Sequence, residues 1–293
     1  MFEGTHTALV TPFRDDQIDE AAFRDLIEEQ IAAGITGIVP VGTTGESPTL
    51  PHTEHNTAIR LSVEAAAGRC QVIAGTGSNS TAEAIELTRE AERLGATAAL
   101  LVTPYYNKPS PEGLFLHYRA VANAVGIPLI LYSIPGRCGI EISVETAVRL
   151  AEACPNVRAI KEAGGSVERV SALRHALPEE FEILSGDDSL TLPFMSVGAV
   201  GVISVASNIV PAEVVRLVSA WLDDDPTAAR AQHLKFYRLF KELFVETNPV
   251  PIKTALALQG RMTADVRLPL CPLTDQSLDR LRSVLTDYGL LNS

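Results

Sequence analysis

Val157-Arg158-Ala159-Ile160-Lys161-Glu162-Ala163-Gly164-Gly165 reads as the close of one strand and the turn leading out of it. The residues before Lys161 alternate as a strand does, and Glu-Ala-Gly-Gly breaks the pattern ahead of a helical stretch. A lysine in that place carries its amine to the carboxyl end of a strand, where parallel α/β proteins hold their ligands. There it has two readings. It can be a strand-end cation paired with Glu162, or an enclosed amine driven neutral to attack a carbonyl and form a Schiff base. Taken alone, the stretch favours the ion pair; the rest of the chain reverses that order.

Outward from this unit, the same strand-then-helix motif recurs. Strands are expected near residues 5–10, 36–41, 71–75, 97–102, 128–132, 157–160, 181–185 and 200–205. Between them run helices with apolar residues three and four apart, such as Phe23, Leu26, Ile27 and Ile31. Gly34, Gly95 and Gly126 stand where helices end. Eight such units in about 220 residues match the count and length of a (β/α)8 TIM barrel. An open doubly wound sheet usually has fewer strands and a nucleotide fingerprint. After Trp221 the pattern changes: Asp223-Asp224-Asp225-Pro226 is helix-start chemistry. Only helical periodicity follows, interrupted by Asn248-Pro249-Val250-Pro251 and Leu268-Pro269-Leu270-Cys271-Pro272. We therefore expect a catalytic barrel over residues 1–224 and an all-helical extension of three helices over 225–293, with a role in packing or assembly.

Composition limits the partners. With 46% hydrophobic and 20% charged residues, the 293-residue chain has enough apolar material for a full core. A formal charge of −12 repels phosphate backbones and argues against nucleic acid. Cys70, Cys138, Cys154 and Cys271 are scattered without a CxxC, which fits neither a zinc site nor a disulfide framework and suits the cytoplasm. The opening MFEGTHTALV lacks a secretory signal pattern, and no apolar run approaches the ~20 residues a membrane span needs.

In a barrel the chemistry should follow the strands. Gly42-Thr43-Thr44-Gly45-Glu46-Ser47 follows the second; its glycines let backbone N–H groups turn toward an anion, although a plain Gly/Thr turn has equal standing locally. No Gly-Lys-Ser/Thr occurs, so it is not a P-loop, and Gly75-Thr76-Gly77 is only a fragment of the dinucleotide fingerprint. Thr103-Pro104-Tyr105-Tyr106-Asn107-Lys108-Pro109 places two phenols on a loop after the fourth strand. Tyr132-Ser133-Ile134-Pro135-Gly136-Arg137 brings a phenol and a guanidinium after the fifth. Asp187 and Asp188 read as helix caps rather than metal ligands, since no third ligand lies near them in sequence. Together Thr43, Tyr132, Arg137 and Lys161 describe a site without metal or cofactor: an amine nucleophile, a proton-shuttling phenol and an anion clamp. An α-keto acid suits it.

These residues carry a resemblance. GTTGE at Gly42–Glu46, Tyr132-x-Ile-Pro and Ile160-Lys161-Glu162 are similar to the pyruvate-dependent class I aldolases of the dihydrodipicolinate synthase/N-acetylneuraminate lyase family, over essentially the whole chain. VGTTGES at Val41–Ser47, TPYYNKP at Thr103–Pro109 and Arg137 resemble its dihydrodipicolinate synthase branch; the neuraminate lyases have serine in place of Thr43 and lack the arginine.

The resemblance implies condensation of pyruvate with L-aspartate 4-semialdehyde to 4-hydroxy-tetrahydrodipicolinate, the step opening the diaminopimelate/lysine branch. Lys161 would form the imine and Tyr132 move protons. Thr43 would bridge Tyr132 to Tyr106 from a neighbouring subunit. Thr43 and Thr44 would hold the pyruvate carboxylate, Arg137 the second carboxylate, and Gly186 and Ile203 would line the pocket. A homo-oligomer, expected as a dimer of dimers, follows from the Tyr106 role. It also implies feedback by L-lysine on Ser47, His52, His55, Asn79, Glu83 and Tyr105. Ser133, Cys138 and Pro48 depart from the usual family pattern, the first two beside the arginine and the third beside the lysine site. Two alternatives stand: a sibling aldolase cleaving a sugar acid, which Arg137 opposes, and a non-catalytic acid-binding barrel, which has no use for an amine nucleophile. Free lysine titrates near 10.4, so a neutral amine near pH 7.4 requires a shift of ~3 units, roughly 4 kcal/mol.

Overall fold

The computed structural model describes residues 1–291; the last two residues of the expected helical extension lie outside them. Eight parallel strands form a closed barrel. They are β1 (Gly4–Ala8), β2 (Gly37–Val39), β3 (Gln71–Gly75), β4 (Ala98–Val102), β5 (Leu129–Ser133), β6 (Val157–Glu162), β7 (Glu182–Ser185) and β8 (Gly201–Ser204). Each expected strand is present. Each pairs with its neighbours in sequence, and β1 closes on β8 through Gly4 opposite Gly201 and His6 opposite Ile203. Closure there demands glycine: a Cβ on Gly201 would lie 1.9 Å from the Gly4 carbonyl oxygen.

The alternation of strand side chains divides the buried apolar residues into two sets. Ala8, Val39, Ile73, Leu100, Ile130 and Leu184 fill the barrel interior. Ile38, Val72, Ala99, Leu131, Ile160 and Ile183, the intervening residues, face the helical shell. Both faces of each strand are thus dry, which is why the strands read as continuous apolar runs.

The shell comprises α1 (Glu20–Ala32), α2 (His52–Ala66), α3 (Thr81–Arg93), α4 (Pro111–Ala122), α5 (Val144–Ala153), α6 (Val167–Ala176), α7 (Thr191–Met195) and α8 (Pro211–Leu222). Side-chain caps fix where many of them start. Asp19, Ser80, Ser110, Ser143 and Ser166 each accept from a first-turn amide. Of the glycines expected at helix ends, Gly34 and Gly95 have positive φ. Gly126 does not play that part: α4 ends at Ala122 with Asn123 as its cap, and the Gly126 amide donates to Glu92 (2.7 Å). A two-residue hairpin, Phe13–Arg14 with Gln17–Ile18, was too short to show a period in the sequence.

Three further helices follow: α9 (Pro226–Glu242), α10 (Val250–Leu258) and α11 (Asp275–Asp287). Asp225 caps α9 and Pro226 opens it, as the acidic run predicts. Phe236, Leu239, Leu256 and Leu281 share one buried cluster with the outer shell of the barrel. No helix among the described residues is long and apolar enough to cross a membrane.

Candidate active site

Strands β5 and β6 are paired so that Tyr132 lies opposite Lys161, and both are buried. With Ala159 in the barrel interior and Ile160 in the shell, Lys161 also turns inward. Its Nζ lies 4.3 Å from the centre of the Tyr132 ring. The competing ion pair is absent because strand alternation sends Glu162 the other way. Glu162 accepts from Arg169 Nε (2.8 Å) and from the Gly164 amide (2.7 Å).

Burial pushes the Lys161 ammonium down to about 7; nearby Asp188 opposes that shift and Arg137 adds to it. Near neutral pH a large fraction of Lys161 is therefore the free amine. Gly186 makes room for it: a Cβ there would stand 3.0 Å from Lys161 Cε and 2.7 Å from Ala163 Cβ. Burial also raises the Tyr132 phenol to about 12, against the pull of Arg137 and the Thr43 hydroxyl. Tyr132 thus stays protonated and can donate. Ile203, on β8, is a buried wall of the same interior.

The loop after β2 is a compact turn. Gly45 and Ser47 amides donate to the Gly42 carbonyl, and the Glu46 amide donates to Thr43. The amides of Thr43 and Thr44 find no protein acceptor among the described residues, as a carboxylate cradle requires. Glu46 faces away from that cradle. It is buried with Lys253 of α10 at 2.5 Å, and its second oxygen accepts from the Arg267 amide at 3.0 Å.

A cavity of about 340 Å³ opens beside this loop. Thr43, Tyr132, Arg137 and Cys138 line it together with Ser47, His52, His55, Glu83 and Tyr105; Lys161 lies behind Tyr132 and is not part of the lining. His52 Nε2 lies 3.0 Å from Glu83 Oε1, and the Ser78 hydroxyl donates to the other carboxylate oxygen. Ser78 and then His52 hold Glu83 below the ordinary carboxylate range. His55 is buried, and its Nε2 bonds the Gly75 carbonyl at 2.9 Å. Asn79, named with the lysine site, makes a hydrogen bond within the loops around this cavity. Its Nδ2 donates to the Tyr105 carbonyl (3.2 Å), which braces the loop that carries Tyr105.

Tyr106 also lies off this cavity. It is 90% exposed and has φ 73, held out from its own site by a tight turn. Among the departures from the family pattern, Ser133 is buried with an unpartnered hydroxyl, and Cys138 presents a thiol that burial pushes up to about 11. Pro48 sits in the short turn Ser47–Thr49 on the cavity wall.

The two aspartates after β7 divide. Asp187 is a cap, accepting from the Ser189 amide and hydroxyl at 2.8 Å each. Asp188 is not a cap: its buried carboxylate accepts from the Ser204 hydroxyl (2.5 Å) and the amides of Val205 (3.1 Å) and Ala206 (3.0 Å). Burial raises it to about 6. Sequence reasoning missed its place near Lys161; the one available signal was that consecutive residues leaving a strand point in different directions. Asn248 was missed altogether and belongs to the site's frame. Its Nδ2 donates to Thr44 Oγ1 at 3.0 Å, and its carbonyl accepts from Arg137 Nη2 at 3.2 Å. Among the described residues no group of three or more His, Cys, Asp or Glu is placed to hold a metal ion.

Comparisons with known proteins place the whole chain in one family and fold. A family model described as the dihydrodipicolinate synthetase family matches residues 1–288. The chain is 51% identical over 291 residues to the 4-hydroxy-tetrahydrodipicolinate synthase of Geotalea uraniireducens, covering 99% of this chain and 100% of that one. The solved 4-hydroxy-tetrahydrodipicolinate synthase of Methylacidiphilum fumariolicum SolV superposes with TM-score 0.98 at 55% identity, over 99% of this chain and 97% of that one. A dihydrodipicolinate synthase from Cyanidioschyzon merolae, solved with lysine bound, superposes with TM-score 0.96 at 43% identity, over 99% of this chain and 99% of that one.

Proposed function

This chain belongs to the dihydrodipicolinate synthetase family, and from that premise we propose residue roles for its reaction. The protein is a lyase that condenses pyruvate with L-aspartate 4-semialdehyde to 4-hydroxy-tetrahydrodipicolinate, at the head of the diaminopimelate/lysine branch. The observation carrying the assignment of roles is the pairing of Tyr132 with Lys161 inside the barrel.

The neutral Lys161 amine attacks the keto carbon of pyruvate, and loss of water leaves the imine. Removal of a methyl proton gives the enamine, whose carbon adds to the aldehyde. The amine of the second substrate then attacks the imine carbon, the bond to Lys161 breaks, and the ring product departs. Protons pass through Tyr132 and Thr43 to Tyr106 of the partner subunit. The exposure of Tyr106 supports that last role, because the side chain does not serve its own cavity. The proposal includes a homo-oligomer, a dimer of dimers, in the cytoplasm; four free cysteines suit a reducing compartment. Residues 1–224 supply the catalytic groups in this reading, and the helices of the extension that begins at 225 pack against them.

Thr43 and Thr44 take the pyruvate carboxylate on their amides and Arg137 takes the carboxylate of the semialdehyde. Replacing Arg137 with alanine should raise KM for the semialdehyde by roughly 30- to 150-fold, the loss of about 2–3 kcal/mol of charge-assisted bonding. Borohydride trapping of pyruvate on the same variant should be nearly unchanged. Equal losses for both substrates would show that the guanidinium holds something else.

L-Lysine is proposed to bind Ser47, His52, His55, Glu83 and Tyr105, with Asn79 acting through the Tyr105 loop. In support, these side chains share one cavity with Thr43 and Tyr132, and Glu83 supplies a carboxylate for an ammonium. Titration with lysine should give partial inhibition that Glu83→Ala abolishes. If millimolar lysine neither inhibits nor gives a calorimetric signal, this part of the proposal fails.

A further inference from the structure

We propose that Asn248 is a positioning residue that joins the Thr44 side of the pyruvate cradle to the Arg137 clamp, so that one joint of the C-terminal segment sets the spacing of the two carboxylate sites. The inference rests on the roles assigned above to Thr44 and Arg137, and deepens them.

Three observations carry it. Asn248 is 5% exposed, and its Nδ2 donates to Thr44 Oγ1 across 204 residues of sequence. Its Oδ1 has no partner, so Thr44 is the one anchor of the amide group among the described residues. The carbonyl of the same residue accepts from Arg137 Nη2, the single protein hydrogen bond of that guanidinium among the described residues. The rest of the fork is left for a ligand. Side chain and main chain of one residue thus touch the two anion-holding units, and three rotatable bonds separate the contacts.

The joint is itself held. Lys253, five residues further on, is buried against Glu46, two residues beyond Thr44. The loop and the C-terminal segment are therefore fastened at two points, 44 to 248 and 46 to 253. A shift of Thr44 must move Asn248, and with it the acceptor that aims Arg137. The two substrate carboxylates belong to molecules that must meet with carbon–carbon bonding geometry, where a small misplacement costs rate.

The test is steady-state kinetics with both substrates varied, together with borohydride trapping of pyruvate. Asn248→Ala should raise KM for pyruvate and for the semialdehyde about tenfold each, the size expected of one lost hydrogen bond, while Lys161 still traps pyruvate. Thr44→Val should also raise KM for the semialdehyde, although Thr44 is assigned to the other substrate; Thr44→Ser, which keeps the hydroxyl, should restore it. The Thr44→Val/Asn248→Ala double variant should be no worse than either single one, since both remove the same bond. If Asn248→Ala does not fold, the Thr44→Val and Thr44→Ser pair decides the same question. Unchanged KM values in Asn248→Ala, an effect of Thr44→Val confined to pyruvate, or additive losses overturn the relay while leaving the Schiff-base reading intact. An unsubstituted protein that traps no pyruvate removes both.

Discussion

The Lys161→Met protein is expected to trap no pyruvate with borohydride, to lose at least about a thousandfold in kcat/KM, and to melt at a higher temperature than the parent. The first two outcomes follow from losing the nucleophile: among the described residues Lys161 is the lysine that pairs with Tyr132 and holds its amine over the phenol ring. The third follows from burial. Moving the Lys161 ammonium from its usual 10.5 to about 7 means that the fold gives up roughly 4–5 kcal/mol at pH 7 and below. The sign is fixed by proton uptake. Between about 7 and 10.5 the unfolded lysine is protonated and the folded one is not, so this penalty is full at low pH and fades as pH rises. Methionine fills similar space without the charge and removes the penalty, which should show as a Tm gain of several degrees. In the parent protein the rate of imine formation should rise with pH and level off above about 7, as the free amine becomes the main form. Retained activity in Lys161→Met would end the Schiff-base mechanism. A lower Tm would show that the lysine stabilises the barrel rather than straining it.

Replacing Glu46 with alanine should destabilise the fold by about 3–5 kcal/mol, because it leaves the Lys253 ammonium buried without its partner. Both side chains of this pair are fully enclosed at 2.5 Å; the face of the Phe13 ring (4.2 Å) and the more distant charge of Asp265 add smaller support to the Lys253 ammonium. Burial lowers Lys253 from its ordinary value, with Glu46 as the main opposing influence. Chemical denaturation should therefore show a large drop in midpoint that added salt does not reproduce in the parent, since a buried pair is poorly screened. The double variant Glu46→Leu/Lys253→Met should recover most of the loss, for it removes both charges and keeps the volume. A loss below about 1 kcal/mol, the range of an exposed pair, would mean that water reaches Lys253 once Glu46 is gone. Because Glu46 closes the Thr43–Thr44 turn, Glu46→Ala should also weaken pyruvate binding at temperatures where it remains folded.

Much of the molecule follows from local pattern. Eight apolar runs with turn residues after them specify eight strands, since strand alternation and helix periodicity are properties of short windows. The placement of Thr43, Tyr132, Arg137 and Lys161 after or at strand ends follows from the same runs, and a barrel necessarily gathers those ends on one face. The family motifs lie within such windows too. Asp225 and Pro226 mark the start of α9 because capping acts over a few residues.

Other features are set only when distant segments meet. Asp187 and Asp188 are neighbours of one type, yet one caps a turn and the other is buried against β8; what separates them is the closed sheet, not their sequence. Asn79 donates to the Tyr105 carbonyl, supplied by the next barrel loop, a partner that its neighbours in sequence do not indicate. Asn248 and Lys253 lie 204 and 207 residues from Thr44 and Glu46, so no local period could relate them. The lowered Lys161 value is of the same kind. Its cause is the exclusion of water by residues from several strands, a property of the enclosed barrel that the sequence around the lysine does not contain.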